Sequence, residues 1–168
     1  MAWIDLNGPV LADTVYDAGK LVAKDVTITL PAINLLTADF KAMGTLTLPI
    51  IGQIEAMEAT VNKVGTDMGL RSMASLDSRT LEFRWVQDVK KADGSTKIVG
   101  CKAFLRVVTK TIPGLSVDPG SQSENELGYA VSRYQLFVDG TEYWLIDQLN
   151  QILRVGGKDY YKQIRSLL

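Results

Sequence analysis

Tyr129-Ala130-Val131-Ser132-Arg133-Tyr134-Gln135-Leu136-Phe137-Val138 runs into Asp139-Gly140, and Tyr143-Trp144-Leu145-Ile146 brings the chain back. Branched and aromatic residues on both sides of a dipeptide that tolerates positive φ make this a β-hairpin. The same grammar recurs upstream. Leu81, Phe83, Trp85 and Val89 alternate with Glu82, Arg84 and Asp88; Asp93-Gly94 supplies the turn, and Ile98 to Lys110 returns. Period-two runs bounded by turn dipeptides predict antiparallel sheet.

The rest of the chain fits that frame. Val15-Tyr16-Asp17-Ala18-Gly19-Lys20 reads as a tight turn, and Val22, Lys24, Val26, Ile28 and Leu30 then alternate until Pro31 ends the run. Residues 32–44 are apolar but irregular and read as an extended excursion. Leu46, Leu48 and Ile50 alternate with Thr45, Thr47 and Pro49. Farther on, Met57, Ala59 and Val61 share one face, with Glu58, Thr60 and Asn62 on the other. One internal helix is predicted between Thr66 and Asp77, capped by Thr66 or Asp67, with Gly69 the discordant residue. Residues 112–128, with Pro113-Gly114, Pro119-Gly120 and a polar run, read as a long loop. After Gly156-Gly157, Lys158 to Leu168 reads as a short terminal helix. The expectation is one mainly β domain over residues 1–168.

Composition narrows the function. The 168 residues carry a formal net charge of -1, which makes no bulk electrostatic case for nucleic acid or an anionic membrane. No uncharged stretch is longer than Val26 to Ala38, which is too short to span a bilayer, so no stable membrane insertion is expected. Neither a secretory signal nor a disulfide is expected, since Met1 to Asn7 lack a basic region and Cys101 is the lone cysteine. Histidine is absent, which removes the commonest general base and zinc ligand and lowers the case for an enzyme. No catalytic residue, cofactor site or metal site is assigned. Asp147 lacks a partner cluster, Glu124 and Glu126 lack the oxygen spacing of a calcium loop, and Gly156-Gly157 lacks the context of a phosphate loop. Lys90, Lys91 and Lys97 flank a turn and read as solvated. Trp85, Tyr143, Trp144 and Cys101 read as core or interface residues.

The final forty residues carry a resemblance. Tyr134-Gln135-Leu136-Phe137-Val138-Asp139-Gly140, then Ile146-Asp147-Gln148-Leu149-Asn150-Gln151-Ile152, then Val155-Gly156-Gly157-Lys158-Asp159 resembles the terminal hairpin of the tail tube proteins of contractile-tailed phages and R-type phage-tail-like bacteriocins. In that family a glycine-bearing turn leads into a basic helix, which Lys162 and Arg165 match. The front is similar too: Val15 to Gly19, the strand Val26-Thr27-Ile28-Thr29-Leu30-Pro31, and the excursion containing Ala42-Met43-Gly44. Residues 1–12 depart from it as an N-terminal extension.

The resemblance implies a small β-barrel or sandwich subunit that completes a shared tube barrel on oligomerisation. Hexameric rings would stack around a lumen passing DNA, without sequence-specific binding, or ions. Partners implied are further copies of the chain, a contractile sheath protein, and baseplate and tail-terminator proteins. The particle would be assembled in the bacterial cytoplasm. Residues 32–44 would be a stacking excursion, with Ile33, Leu35, Leu36, Phe40 and Met43 at the interface. Val131 would lie on an inter-subunit strand edge, and Glu58, Thr60, Arg84, Asp88, Arg133 and Gln135 would face the lumen. The rival readings are a monomeric small-molecule-binding β-barrel, a hydrolase using two carboxylates, and a tube from a related injection or secretion machine.

Overall fold

Alternation becomes pairing over most of the chain. The computed structural model describes residues 5–168. In chain order it contains β1 (Leu6–Asp17), β2 (Lys20–Lys24), β3 (Thr27–Thr29), β4 (Leu35–Lys41), β5 (Thr45–Ile54), β6 (Met57–Val64), α1 (Met68–Met73), β7 (Arg79–Lys90), β8 (Thr96–Thr111), β9 (Glu124–Val138), β10 (Thr141–Asp147), β11 (Ile152–Val155), β12 (Lys158–Asp159) and α2 (Lys162–Leu167). The 10-stranded sheet has the order β12-β11-β10-β9-β8-β7-β1-β2, with β6 also on β9 and β3 on β6. Strands β4 and β5 form a separate hairpin.

Strand β9 organises the sheet because it is long enough to serve two partners along one side. Glu124 to Val131 pair with β6, Arg133 to Val138 pair with β10, and β8 runs along the opposite side. Val131 is therefore not an edge residue of the subunit. It lies between Met57 and Val107 and is 5% exposed. Proline at that position would remove a backbone donor from the middle of the sheet and break the fold itself.

Other expectations shift in extent. The run from Val22 to Leu30 is two strands, not one. Asp25 takes a φ of 53°, and the chain crosses from the β1 edge to the β6 edge. Asp13 holds this step: its carbonyl accepts from the Asp25 amide at 3.3 Å and its carboxylate from the Val26 amide at 3.0 Å. Strands β2 and β3 thus sit at opposite ends of the path β2-β1-β7-β8-β9-β6-β3. No ladder joins them, and the sheet curls without closing as a hydrogen-bonded barrel. Residues 124–128 belong to β9 rather than to the polar loop, and residues 6–12 run as a strand along β7. The terminal helix begins at Lys162, because Lys158 and Asp159 pair with β11.

The inner face holds the core. Leu81, Phe83, Leu105, Val107, Leu127 and Tyr129 from the long strands meet Met57, Val61 and Met73, each at most 2% exposed. Burying each such side chain contributes roughly 1.5–3 kcal/mol. Helix α1 closes one end. The Asp67 carboxylate caps it by accepting from the Leu70 amide at 3.0 Å, while Leu70 and Met73 point inward. Gly69 explains its own presence: a Cβ there would sit 1.9 Å from the Val22 carbonyl oxygen of β2. The helix lies directly on the strand backbone. Gly69→Ala should therefore destabilise the subunit by about 1–3 kcal/mol, although alanine normally favours a helix. Chemical denaturation checks the sign, and a stabilised variant would show that the contact is not tight.

Candidate functional site

Period two gives the main sheet a second face, and the register assembles it in rows. Glu58 lies beside Ala130 and Ala130 beside Val108; Gln135 lies beside Phe104 and Phe104 beside Glu82; Phe137 lies beside Lys102 and Lys102 beside Arg84. Arg133 faces Arg106, and Asp88 faces Ile98. The structure brings Glu58, Thr60, Arg84, Asp88, Arg133 and Gln135 together on this one face, opposite the core, and none of them is buried. Lys102, Arg106 and Lys110 share it. The alternation of Cys101, Ala103, Leu105, Val107 and Thr109 would have revealed them.

Several charges of this face are paired locally. Arg84 Nε reaches Glu82 Oε1 at 2.5 Å, Lys90 Nζ reaches Asp88 Oδ2 at 3.2 Å, and Lys110 pairs with Glu58. Arg84 also stacks over Tyr16 at 4.3 Å, and Phe104 meets Phe137 edge-on at 5.9 Å. Asp147, 3% exposed, lies 3.7 Å from Arg133 and 4.0 Å from Arg106, and accepts from the Leu149 and Asn150 amides, each at 3.1 Å. It fixes the turn after β10. Cys101 is buried with Val89 and Val99, and burial pushes its thiol pKa up. Among the described residues, no three His, Cys, Asp or Glu side chains group so as to hold a metal ion.

One network crosses three strands. Arg154 Nε donates to Glu142 Oε1 at 2.6 Å, and Gln135 Nε2 donates to Glu142 Oε2 at 2.9 Å. The Arg154 hydrogen bond, helped by Gln135, holds the Glu142 carboxyl below its ordinary value of 4.5. A depressed carboxyl stabilises the fold above its unfolded pKa and loses that contribution as pH falls through the folded one. Glu142→Gln should lower stability at pH 7 by less than about 1 kcal/mol, because the pair is partly exposed. It should leave stability nearly unchanged once pH falls below the folded pKa, where the carboxyl is protonated in both states. Thermal melts across this range measure the difference.

The second surface is the β4–β5 hairpin, hereafter the arm. Residues 32–44 are half of it rather than an irregular excursion. Thr37, Asp39 and Lys41 pair with Pro49, Thr47 and Thr45, while Ala38 and Phe40 pair with Leu48 and Leu46. One side is polar, with Thr47 Oγ1 donating to Asp39 Oδ1 at 2.7 Å. The other is apolar and uncovered: Leu36 is 42% exposed, Phe40 52%, Leu46 45% and Leu48 42%, and Met43 at the tip is fully exposed. Ile33 and Leu35 behave differently. They pack against the subunit's own core at the root of the arm.

A family model described as phage tail tube protein FII matches residues 12–168. The chain belongs to the phage tail tube protein family. The match leaves residues 1–11 outside it. The tube fold recurs in solved structures. A chain of an extracellular contractile injection system, the PVC sheath-tube complex in the extended state, superposes with a TM-score of 0.54 at 12% identity, covering 77% of this chain and 90% of that one. A chain from the PVC sheath/tube terminator in the extended state gives 0.55 at 13% identity, covering 80% and 99%. A search of curated proteins found no match. The tube protein family is structural rather than enzymatic. Among the described residues, no helix is long and apolar enough to cross a membrane.

Proposed function

We propose that this tube protein is the repeating subunit of the inner tube of a contractile injection apparatus, a phage tail or a phage-tail-like particle. Hexameric rings stack through the arm, with Leu36, Phe40 and Met43 outside the subunit's own core. The face carrying Glu58, Thr60, Arg84, Asp88, Arg133 and Gln135 turns to the bore, which passes DNA or ions. A contractile sheath surrounds the tube, and baseplate and terminator proteins close its ends; the likeness to chains of a sheath-tube complex and of a sheath/tube terminator supports the sheath and the terminator. Assembly takes place in the bacterial cytoplasm.

The uncovered apolar side of the arm carries this reading. A stable monomer rarely leaves so much contiguous apolar surface in water. The face assigned to the bore supports it, because it is polar and charged, with three local ion pairs, and suits a wetted wall. Size exclusion followed by negative-stain electron microscopy of the purified chain tests the proposal. Hollow tubes of uniform width with six-fold rings are expected. A monomer at all concentrations, binding a small apolar ligand, would favour the small-molecule barrel instead.

A further inference from the structure

The same chain that exposes an apolar arm also carries an apolar cleft. At the root of the arm, Pro31, Leu35 and Ile51 face Trp144, Leu153 and Tyr160 across a cavity of about 550 Å³, and among the described residues no charged side chain lines it. We propose that this cleft is the socket that receives Phe40 and Met43, at the arm tip of a second copy in the adjoining ring. The inference rests on the stacking role proposed above and adds the residues that receive the arm.

Three observations favour a second copy as the occupant. First, the subunit's own tip is out of reach. The ladder from Thr37↔Pro49 to Lys41↔Thr45 holds the arm extended, and at ~3.3 Å per residue the tip stands roughly 20 Å from Leu35. Folding back would break that ladder. Second, the area suffices. From Leu36 to Ile50, the arm's apolar side chains, tip included, expose on the order of 600 Å², most of the ~800 Å² that each partner brings to a stable interface. Third, knob and socket are different surfaces of one chain. Such a contact is heterologous and repeats without closing, so it propagates a stack rather than a closed dimer. The chemistry fits as well. Met43 is flexible and polarisable, and Trp144 and Tyr160 offer the aromatic walls that thioethers and rings pack against.

Disulfide trapping tests the socket directly. Val155 rims the cleft and is 43% exposed, so Met43→Cys with Val155→Cys places one thiol on each partner surface. Cys101, 2% exposed, is left in place. Mild oxidation of assembled double-variant tubes should give a ladder of chains linked end to end, at least tenfold above either single variant. Ala32→Trp, which fills the cleft, should reduce tube yield at least tenfold while the subunit melts normally. If it fails to fold, the trapping result decides alone. A double variant that assembles without a ladder, while Phe40→Ser still blocks assembly, overturns the socket and leaves the stacking role standing. Normal tubes from Phe40→Ser would remove the stacking role and the socket with it.

Discussion

Phe40→Ser combined with Met43→Ser should give a subunit that folds normally and no longer forms tubes. Both side chains are exposed in the isolated subunit, at 52% and 111%, so truncating them removes little from the fold. Surface changes of that kind usually stay within about 0.5 kcal/mol. Burial at a ring interface is another matter, since each large apolar side chain contributes roughly 1.5–3 kcal/mol when fully covered. Losing two at every contact is worth about 3 kcal/mol or more, or at least a hundredfold in association constant for each contact. In the hexameric ring proposed above, that loss would apply six times over. Sedimentation of tubes against protein concentration, beside thermal melts of the free subunit, separates the two effects. A variant that pellets like the parent would show that the arm is not the stacking element.

Arg79→Ala should destabilise the free subunit by about 3–5 kcal/mol. Its guanidinium donates to the Ser75 carbonyl at 2.5 Å, to the Asp77 carbonyl at 3.1 Å and to the Met73 carbonyl, gathering the chain that leaves α1. It also lies 3.4 Å from the Asp17 carboxylate and 5.8 Å from the centre of the Tyr129 ring. Tyr129 Oη and Thr109 Oγ1 donate to the same short segment, at 2.9 Å to Met73 and 2.6 Å to Ser75. The side chains of Arg79 and Asp17 are only 12% and 17% exposed, so deletion leaves a nearly buried carboxylate and several carbonyls without their donor. Arg79→Lys should recover only part of the loss, because an ammonium cannot reproduce the planar fork. Urea titration of the three proteins gives the ranking, and an alanine variant within about 1 kcal/mol of the parent would show that water replaces the guanidinium.

Much of this fold was legible in the sequence because alternation reports which side of a strand meets the core. Residues 129–146 and 81–110 needed no more than that. The six residues assigned to the lumen landed on one face for the same reason. What alternation cannot report is the identity of a strand's neighbour. Val131 alternates equally well at an edge or at the centre, and only the positions of β6 and β8 decide between them. The crossing at Asp25 escaped because aspartate tolerates positive φ while looking like an ordinary strand residue. Gly69 looked like a flaw in a helix because the Val22 carbonyl that requires it lies far away in the chain. In the arm, the shared face of Ala38 and Phe40 with Leu46 and Leu48 emerges only once the register is known.

The crossing at Asp25 and Val26 also bears on how the subunit would withstand force. A curled sheet held at its seam by hydrogen bonds could open by slipping along that seam. Here the seam is bridged by the main chain, with β2 anchored on β1 and β3 on β6. Hoop tension across it falls on covalent bonds, and the sheet unrolls only when one of those ladders is stripped away. A cylinder driven lengthwise by a contracting jacket would carry that lacing in every subunit of its wall.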